Sequence, residues 1–264
     1  MLTMLAAAFS LRGLAQENKE QLVVPLSDPG KPYKLNVELT FGSIKVIGYD
    51  GKDVVVDAQL VEGQQREKTT GGGMHRIGGS GGLDVSASEK NNVVRIGSDA
   101  PPKAMRLIIK VPKNTTSVKL STVNDGDIVA SDINGDIEVT NVNGGIKLTN
   151  VAGTVVANTV NGNIVVTFRS IESAPMAFTT LNGNVDVTFP GSLKANVKLR
   201  SERGDIYTDF DVDADKSEPK ASKTAKDGLY RINVEDWVSG RINGGGPQLL
   251  MKNMNGSIYI RKVK

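Results

Sequence analysis

The sequence predicts an all-β fold, wound as a single-stranded right-handed β-helix (β-solenoid) built of short repeats with Asn-Gly corners. Three observations predict this fold. Glycines recur every nine residues through residues 121–166, apolar and polar residues alternate around them, and related motifs return later in the chain. The first five repeat glycines are Gly126, Gly135, Gly144, Gly153 and Gly162. A fixed short period is the sequence signature of a repeat architecture.

Apolar residues occupy fixed offsets from each glycine. The residues two positions after it are Ile128, Ile137, Ile146, Val155 and Ile164, and those four positions after it are Ala130, Val139, Leu148, Ala157 and Val166. The residues two positions before it are Ile133, Val142, Val151 and Val160. These offsets share one parity, and side chains on a strand alternate faces with a period of two. The pattern therefore predicts that all three sets point into the core, while Glu138, Thr140, Lys147 and Thr149 point outward.

The Asn-Gly pairs predict tight corners, because both residues tolerate a positive φ. Asn-Gly between alternating strands is also typical of β-hairpins, so an antiparallel meander is the alternative. Gly162, Gly183 and Gly204 are each 21 residues apart, which is about two nine-residue units plus a short loop. This longer register favours stacked coils over a meander. Right-handed winding is expected, since crossovers between parallel strands are nearly always right-handed.

The same offsets return near both ends of the chain. Ile44 and Val46 follow Gly42 at the repeat spacing, so the solenoid is expected to begin there with a divergent coil. Near the C-terminus, Met254, Ile258 and Ile260 occupy the apolar offsets around Gly256. These residues are therefore predicted to lie in the core of a last coil.

The domain organisation is predicted to be simple. Residues 1–15 are expected to be a signal peptide, because their apolar run is too short to span a bilayer and Gly13 and Ala15 are small residues before a cleavage point. An ordinary buried N-terminal segment is the alternative. Residues 16–264 are expected to form one β-solenoid domain, with a Gly-rich loop at 62–82 and the most regular repeats at 111–264. Export to the periplasm, the outer membrane or the cell surface would follow, with no transmembrane span in the mature chain.

Composition excludes several classes of site. The chain has no cysteine and a single histidine, His75, so disulfides, thiolate catalysis and Cys-based zinc sites are excluded. The net charge of +3 comes from interspersed lysines, arginines and acids, without a basic run interleaved with aromatics. A nucleic-acid partner is therefore not expected.

The repeats and the C-terminal motifs together resemble a known family. The Asn-Gly nonapeptides, the segment Val-Pro-Lys at 111–113, INGGGP at 242–247 and NGSIYIRK at 255–262 are similar to the putative adhesin family. Its members carry a domain of unknown function built of β-strand repeats, related to auto-transporter adhesin head-like domains. The resemblance covers about residues 33–264. It implies a right-handed β-helix-like fold, an exported or envelope-associated bacterial protein, and no established catalysis.

The predicted function is non-catalytic binding. A solenoid offers an extended surface, and a glycan or an envelope or surface protein is the expected partner, with no cofactor. Glu138, Lys147 and Trp237 are the candidate binding residues, and no catalytic or metal-binding residue is assigned. Trp237, the only tryptophan, is interpreted either as a cap over the open end of the core, which is preferred, or as an exposed sugar-stacking platform. The oligomeric state is not predicted.

Two alternatives remain open. A polysaccharide-acting enzyme would need two carboxylates roughly 5 to 10 Å apart, for which Asp127 with Asp136, or Glu202 with Asp205, are the candidates. A calcium-binding repeat protein is the second alternative, because Asp beside Gly is typical of calcium-binding nonapeptide solenoids. The position after each glycine is nevertheless variable (Asp127, Asp136, Gly145, Thr154 and Asn163), and so few carboxylates are a poor match for a cation that takes six to eight oxygens.

Overall fold

The computed structural model describes residues 19–61, 84–98, 104–215, 220–226, 229–235 and 237–264, which contain strands and no α-helix. The strands are β1 (Lys19–Val24), β2 (Tyr33–Tyr49), β3 (Val54–Leu60), β4 (Ser86–Lys90), β5 (Val93–Gly97), β6 (Met105–Pro112), β7 (Thr115–Asn124), β8 (Ile128–Ser131), β9 (Asp136–Asn141), β10 (Ile146–Gly153), β11 (Val155–Asn161), β12 (Ile164–Ile171), β13 (Met176–Asn182), β14 (Val185–Phe189), β15 (Ala195–Arg203), β16 (Ile206–Thr208), β17 (Val212–Ala214), β18 (Lys220–Lys226), β19 (Leu229–Glu235), β20 (Val238–Ile242), β21 (Gln248–Asn255) and β22 (Ile258–Lys262). The predicted signal peptide and the whole Gly-rich loop 62–82, including His75, lie outside the described residues. The all-β prediction is confirmed for the part of the chain described.

Twenty of the strands form two sheets that share one long strand. Sheet A has the order β1-β3-β6-β2-β8-β10-β12-β14-β22-β16. Sheet B has the order β4-β5-β2-β7-β9-β11-β13-β21-β15-β20-β17. Residues 33–41 of β2 pair in sheet B and residues 42–49 pair in sheet A. The remaining two strands, β18 and β19, form a separate antiparallel hairpin.

From β7 to β14, successive strands alternate between the two sheets, and equivalent strands stack in parallel. Ile128 is the register partner of Ile146, which in turn is the partner of Ile164, so the repeat of the stack is 18 residues. One coil therefore consists of two nonapeptides, with one strand in sheet B and one in sheet A. The predicted stacking of parallel coils is present, and the antiparallel meander is not.

The core confirms most of the predicted pattern. All ten residues at the offsets two and four after the glycines are buried, and so are Ile44, Val46, Ile258 and Ile260. Glu138, Thr140, Lys147 and Thr149 are exposed, as predicted. The alternation is therefore correct within each strand.

The prediction is wrong at the corner between β9 and β10 and at its equivalents. Val142 is half-buried, and Val160 and Met254 are exposed, whereas Asn141 and Thr159 are buried. The inward side chains on the two sides of this corner, such as Asn141 and Ile146, are an odd number of positions apart in the chain, so the parity changes there.

The opposite corner keeps Ile133 and Val151 buried. The chain changes parity just before them, at Asp132 and Asn150, whose φ angles are 59° and 56°. A residue with positive φ reverses the alternation locally, as at a bulge.

Polar side chains that point inward donate hydrogen bonds to backbone carbonyls at the corner between β9 and β10 and at its equivalents. Each donates a hydrogen bond to the carbonyl of a glycine in the adjacent coil. The pairs are Thr122 with Gly42, Asn141 with Gly126, Thr159 with Gly144, Thr180 with Gly162, Asn253 with Gly183, and Ser201 with Gly256. Asn141 and Thr159 thus replace the valines expected inside because the corner carbonyls need donors.

The glycines of this corner lie directly on one another. A Cβ atom on Gly144, Gly162, Gly183 or Gly256 would lie 2.2 Å from the carbonyl oxygen of the glycine in the adjacent coil. Gly204 stacks on Gly256 and not on Gly183, so the predicted succession from Gly162 through Gly183 to Gly204 is wrong at its last step. Close backbone contact between coils explains why this position is glycine.

We expect Gly162→Ala to lower the free energy of unfolding by about 3 kcal/mol, because the added methyl group overlaps a backbone oxygen that cannot rotate away. Gly97→Ala is the matched control: its Cβ would meet its nearest atom, the Glu38 carbonyl oxygen, at 3.5 Å. Urea unfolding measures both variants. Equal stability of the two would contradict the close stacking of the corner.

The last coil is inserted out of sequence order. Strands β21 and β22 lie between the coil of β13 and β14 and the coil of β15 and β16. At the other end, β2 lies between β5 and β7 in sheet B and between β6 and β8 in sheet A, although all four strands follow it in the chain. The order of coils in space therefore differs from their order in the chain.

Candidate functional site

The three predicted binding residues do not share one surface. Glu138 lies on β9 and points outward from sheet B, where its carboxylate is 3.0 Å from Nζ of Lys119. Lys147 lies on β10 and points outward from sheet A. Because consecutive nonapeptides alternate between sheets, these two side chains lie on opposite faces of the solenoid.

Trp237 lies on the outside of sheet B. Its half-buried ring has Nζ of Lys198 4.5 Å from its centroid and the guanidinium carbon of Arg200 at 5.7 Å. Both cations project outward from β15, where Lys198 lies between the buried residues Val197 and Leu199 and Arg200 follows Leu199. Trp237 therefore packs against outer side chains of β15, and its interpretation as a cap over the open end of the core stays a prediction.

The centre of sheet B presents a surface without charge. We call the outward side chains of β11 and β13 the sheet B window; they are Val156, Asn158, Val160, Ala177, Thr179 and Leu181. Val156 and Val160 are each 37% exposed and Leu181 is 43% exposed. The exposed Met254 on the adjacent strand β21 continues the row of Val160 and Leu181, and on the other side the row passes the half-buried Val142 to the exposed Val123 on β7. The window is thus part of an aliphatic strip that runs along the solenoid.

Sheet A differs in the same coils. Lys147 on β10, Arg169 on β12 and Asp186 on β14 place a charge on the outer face of each strand. The strip is therefore a property of sheet B and not of every outward face. Sequence analysis missed it because Val160 and Met254 were assigned to the core.

An asparagine ladder runs beside the strip, one residue further along each strand. Asn143, Asn161, Asn182 and Asn255 each donate a side-chain hydrogen bond to the side-chain oxygen of the preceding asparagine, beginning at Asn124, at 2.6 to 2.9 Å. Each exposed amide therefore has a partner in the next coil. The ladder gives the strip a straight, hydrogen-bonded border.

The carboxylates proposed for catalysis have separate partners. Asp127 accepts a hydrogen bond from the backbone N–H of Gly145 at 2.7 Å, and Asp136 accepts one from the hydroxyl of Thr154 at 2.5 Å. Asp127 precedes β8 of sheet A, whereas Asp136 begins β9 of sheet B, so these two lie at different corners.

The two carboxylates of the second pair, Glu202 and Asp205, also have separate partners. Glu202 pairs with Arg200 at 3.2 Å, and Asp205 accepts a hydrogen bond from the hydroxyl of Tyr207 at 3.1 Å. Across the described ranges, no cluster of three or more His, Asp or Glu side chains is arranged to hold a metal ion. The geometry thus assigns these acids to corners and surface pairs.

An aromatic stack occupies the outer face of sheet A at its last strand. We call Arg261, Tyr259 and Tyr207 the tyrosine stack. The rings of Tyr207 and Tyr259 are parallel within 10° with centroids 5.2 Å apart, and the guanidinium carbon of Arg261 lies 5.0 Å from the Tyr259 centroid. Asp186 fixes the guanidinium through two hydrogen bonds of 2.7 and 2.9 Å. Each tyrosine follows its corner glycine, Gly204 or Gly256, by three residues, and this shared spacing could have revealed the pair from sequence.

Hydrogen bonds to carboxylates further favour the protonated forms of Tyr207 and Arg261. The hydrogen bond from Tyr207 to Asp205, together with the carboxylate's charge, raises the pKa of the phenol above its ordinary value. The hydrogen bonds and charge of Asp186 likewise raise the pKa of Arg261. The outer tyrosine is therefore neutral and the guanidinium charged at physiological pH.

In the part of the chain that the structure describes, no helix is long and apolar enough to cross a membrane.

Comparisons with known proteins find one family model that matches part of the repeat region. The family model described as Toastrack DUF4097 matches residues 122–243. No curated protein matches the chain. The match includes the nonapeptides and ends before β21, although β21 and β22 lie between coils of the matched segment.

Several solved structures are similar to the chain. A putative cell adhesion protein of Clostridium sporogenes is 12% identical, with a TM-score of 0.48 and coverage of 94% of this chain and 100% of that one. A putative adhesin of Bacteroides fragilis is 11% identical, with a TM-score of 0.32 and coverage of 93% and 97%. A putative lipid binding protein of Parabacteroides distasonis is 9% identical, with a TM-score of 0.28 and coverage of 94% and 97%. The family match agrees with the resemblance inferred from the sequence: residues 122–243 are similar to the Toastrack DUF4097 family.

Proposed function

We propose that this chain is a non-catalytic, adhesin-like protein of the cell envelope that binds a glycan or a surface protein through the outer face of sheet B. The observation that carries the proposal is the sheet B window. The proposal includes export to the periplasm, the outer membrane or the cell surface, a right-handed winding of the solenoid, and no cofactor.

The window has the composition of an interface core. Its two strands present aliphatic, amide and hydroxyl groups, and charged residues flank it as Lys119 and Glu138 on one side and Lys252 on the other. Depletion of charge at the centre, with a polar rim, is typical of binding surfaces. The stacked coils hold these groups on a rigid surface, so little conformational entropy is lost when a partner binds.

Catalysis has less support. The carboxylates that could form a glycosidase pair accept separate hydrogen bonds or ion pairs, as described for Asp127, Asp136, Glu202 and Asp205. Binding, in contrast, is supported by the uncharged and partly exposed side chains of the sheet B window. We therefore favour binding over hydrolysis.

The proposal is tested by binding of the purified protein to a broad glycan array, in calcium and in chelator, with crosslinking on intact cells as the protein arm. Two variants of one coil provide a matched comparison: Val160→Lys places a charge within the sheet B window, and Val165→Lys places one on the outer face of sheet A. These valines are 37% and 38% exposed, so both variants should fold.

We expect Val160→Lys to weaken binding at least tenfold and Val165→Lys to leave it unchanged. Equal loss in both variants, or no partner in either arm, would overturn the proposal. Binding that requires calcium would overturn its cofactor-free part, and turnover of an array glycan would overturn the non-catalytic assignment.

A further inference from the structure

We propose that the outer end of the tyrosine stack binds an organic cation, an ammonium or guanidinium group presented by a ligand on the free face of Tyr207. This site lies on sheet A, so it is independent of the surface proposed on sheet B. The inference rests on the geometry of the stack, the exposure of its last ring and the charges beside it.

The stack has one occupied end and one open end. Tyr259 is covered on one face by the guanidinium of Arg261 and on the other by Tyr207. Tyr207 lies on β16, which is the last strand of sheet A among the described residues. The side chain remains 50% exposed although one face is stacked. Its other face is therefore open to solvent.

The open ring is held in a fixed orientation. Its hydroxyl donates to Asp205, and its inner face rests on Tyr259. A ligand that stacks on it therefore meets a surface that is already ordered, which lowers the entropic cost of binding.

Two acidic residues lie near Tyr207 in the chain. Asp205 precedes β16 and accepts the hydrogen bond of the Tyr207 hydroxyl, and Asp209 lies in the bend that directly follows β16. Asp209 is anchored by the backbone N–H of Lys262, which donates to its carboxylate at 3.3 Å. An electron-rich ring face with carboxylates beside it attracts cations more strongly than neutral groups.

The occupied end already shows the expected chemistry. Arg261 is a guanidinium on a tyrosine face, held by the carboxylate of Asp186. A cation on Tyr207, beside Asp205, would repeat that arrangement at the other end. The same cation could be presented by an amino sugar or by a basic side chain of a protein.

The chemistry is tested by titrating the full chain with choline and with its neutral isostere, 3,3-dimethylbutan-1-ol, while the NMR signals of the tyrosine rings are followed. We expect saturable shifts of the Tyr207 ring with choline, weakened by salt, and an at least tenfold smaller response to the neutral alcohol. Equal responses, or no response to choline, would overturn the proposal.

Three variants locate the site, and Asp213→Asn serves as the control. Tyr207→Leu should abolish the response, now followed at the ring of Tyr259, and Tyr207→Phe should retain it, because the ring face and not the hydroxyl contacts the cation. Asp205→Asn should weaken binding about threefold or more. Asp213 lies on β17, and its carboxylate pairs with Arg241 at 2.7 Å. Asp213→Asn should leave choline binding unchanged. Unchanged binding by Tyr207→Leu, or loss in Asp213→Asn, would contradict the assignment.

The source of the cation is then distinguished with two ligands. A glucosamine oligosaccharide, at a pH that keeps its amines charged, is compared with its N-acetylated form, and a short lysine peptide represents a protein source. Binding of the charged sugar or of the peptide, without binding of the acetylated sugar, would identify the source. If the acetylated sugar binds as strongly as the charged one, the site recognises a neutral sugar and not a cation, and the proposal is overturned.

Discussion

Ile137→Asp is expected to abolish folding, because it places a carboxylate between stacked aliphatic side chains in the core. Ile137 is 2% exposed, and its register partners in the coils on either side, Val118 and Val155, are also buried. An uncompensated buried charge costs several kcal/mol, which is comparable with the total stability of about 5–15 kcal/mol of a typical domain. Protonation of the carboxyl group would still leave a buried polar group without a partner.

The neighbouring residue provides the control. Glu138→Lys changes charge at an exposed position and replaces the pair with Lys119 by two like charges. Pairs of this kind contribute about 0–1 kcal/mol, so a small loss of stability is expected. Soluble yield and thermal unfolding followed by circular dichroism measure both variants. Equal tolerance of the two would show that the inward and outward faces of β9 are assigned incorrectly.

Removal of residues 244–264 is expected to unfold the C-terminal coils while leaving the earlier ones intact. Strand β21 separates β13 from β15, and β22 separates β14 from β16. Without them, β15 and β16 lose their parallel neighbours and the buried contacts of Leu249, Met251, Ile258 and Ile260. In a solenoid each coil is stabilised mainly by its nearest neighbours, so the loss should remain local.

Hydrogen–deuterium exchange measures this outcome by segment. We expect residues 195–215 to lose protection from exchange in the truncated chain and residues 128–171 to keep it. Addition of a peptide covering residues 244–264 should restore protection to residues 195–215. Full protection of that segment in the truncated chain would mean that β15 docks directly on β13, against the native register.

The sequence predicted the strands well because burial within a strand follows a local rule. Successive side chains alternate between faces, so the aliphatic residues two and four positions after each glycine identify the inward face without knowledge of the partner strand. The same rule predicted that Glu138 and Lys147 point outward. It could not show that they belong to different sheets, because alternation within a strand carries no information about where the next strand lies.

The rule failed where the chain turns. Val142, Val160 and Met254 have the same spacing from glycine as the buried Ile133 and Val151. Val160 and Met254 are nevertheless exposed, and Val142 is only half-buried. Parity changes at Asp132 and Asn150 before one corner, and at the other it changes across the corner itself. A pattern of apolar spacings cannot distinguish these corners, and the aliphatic strip of sheet B was missed for that reason.

Spacing along the chain was enough to predict an all-β repeat fold, the burial of the residues two and four positions after each glycine, and the resemblance to a family. The order of the coils, the insertion of β21 and β22 between earlier strands, and the pairing of Tyr207 with Tyr259 across 52 residues came from the folded structure alone. A rule based on local residue spacing cannot distinguish coils that share the same strand and corner pattern. Their order is set by the contacts each coil makes with both neighbours, and those contacts exist only in the folded chain.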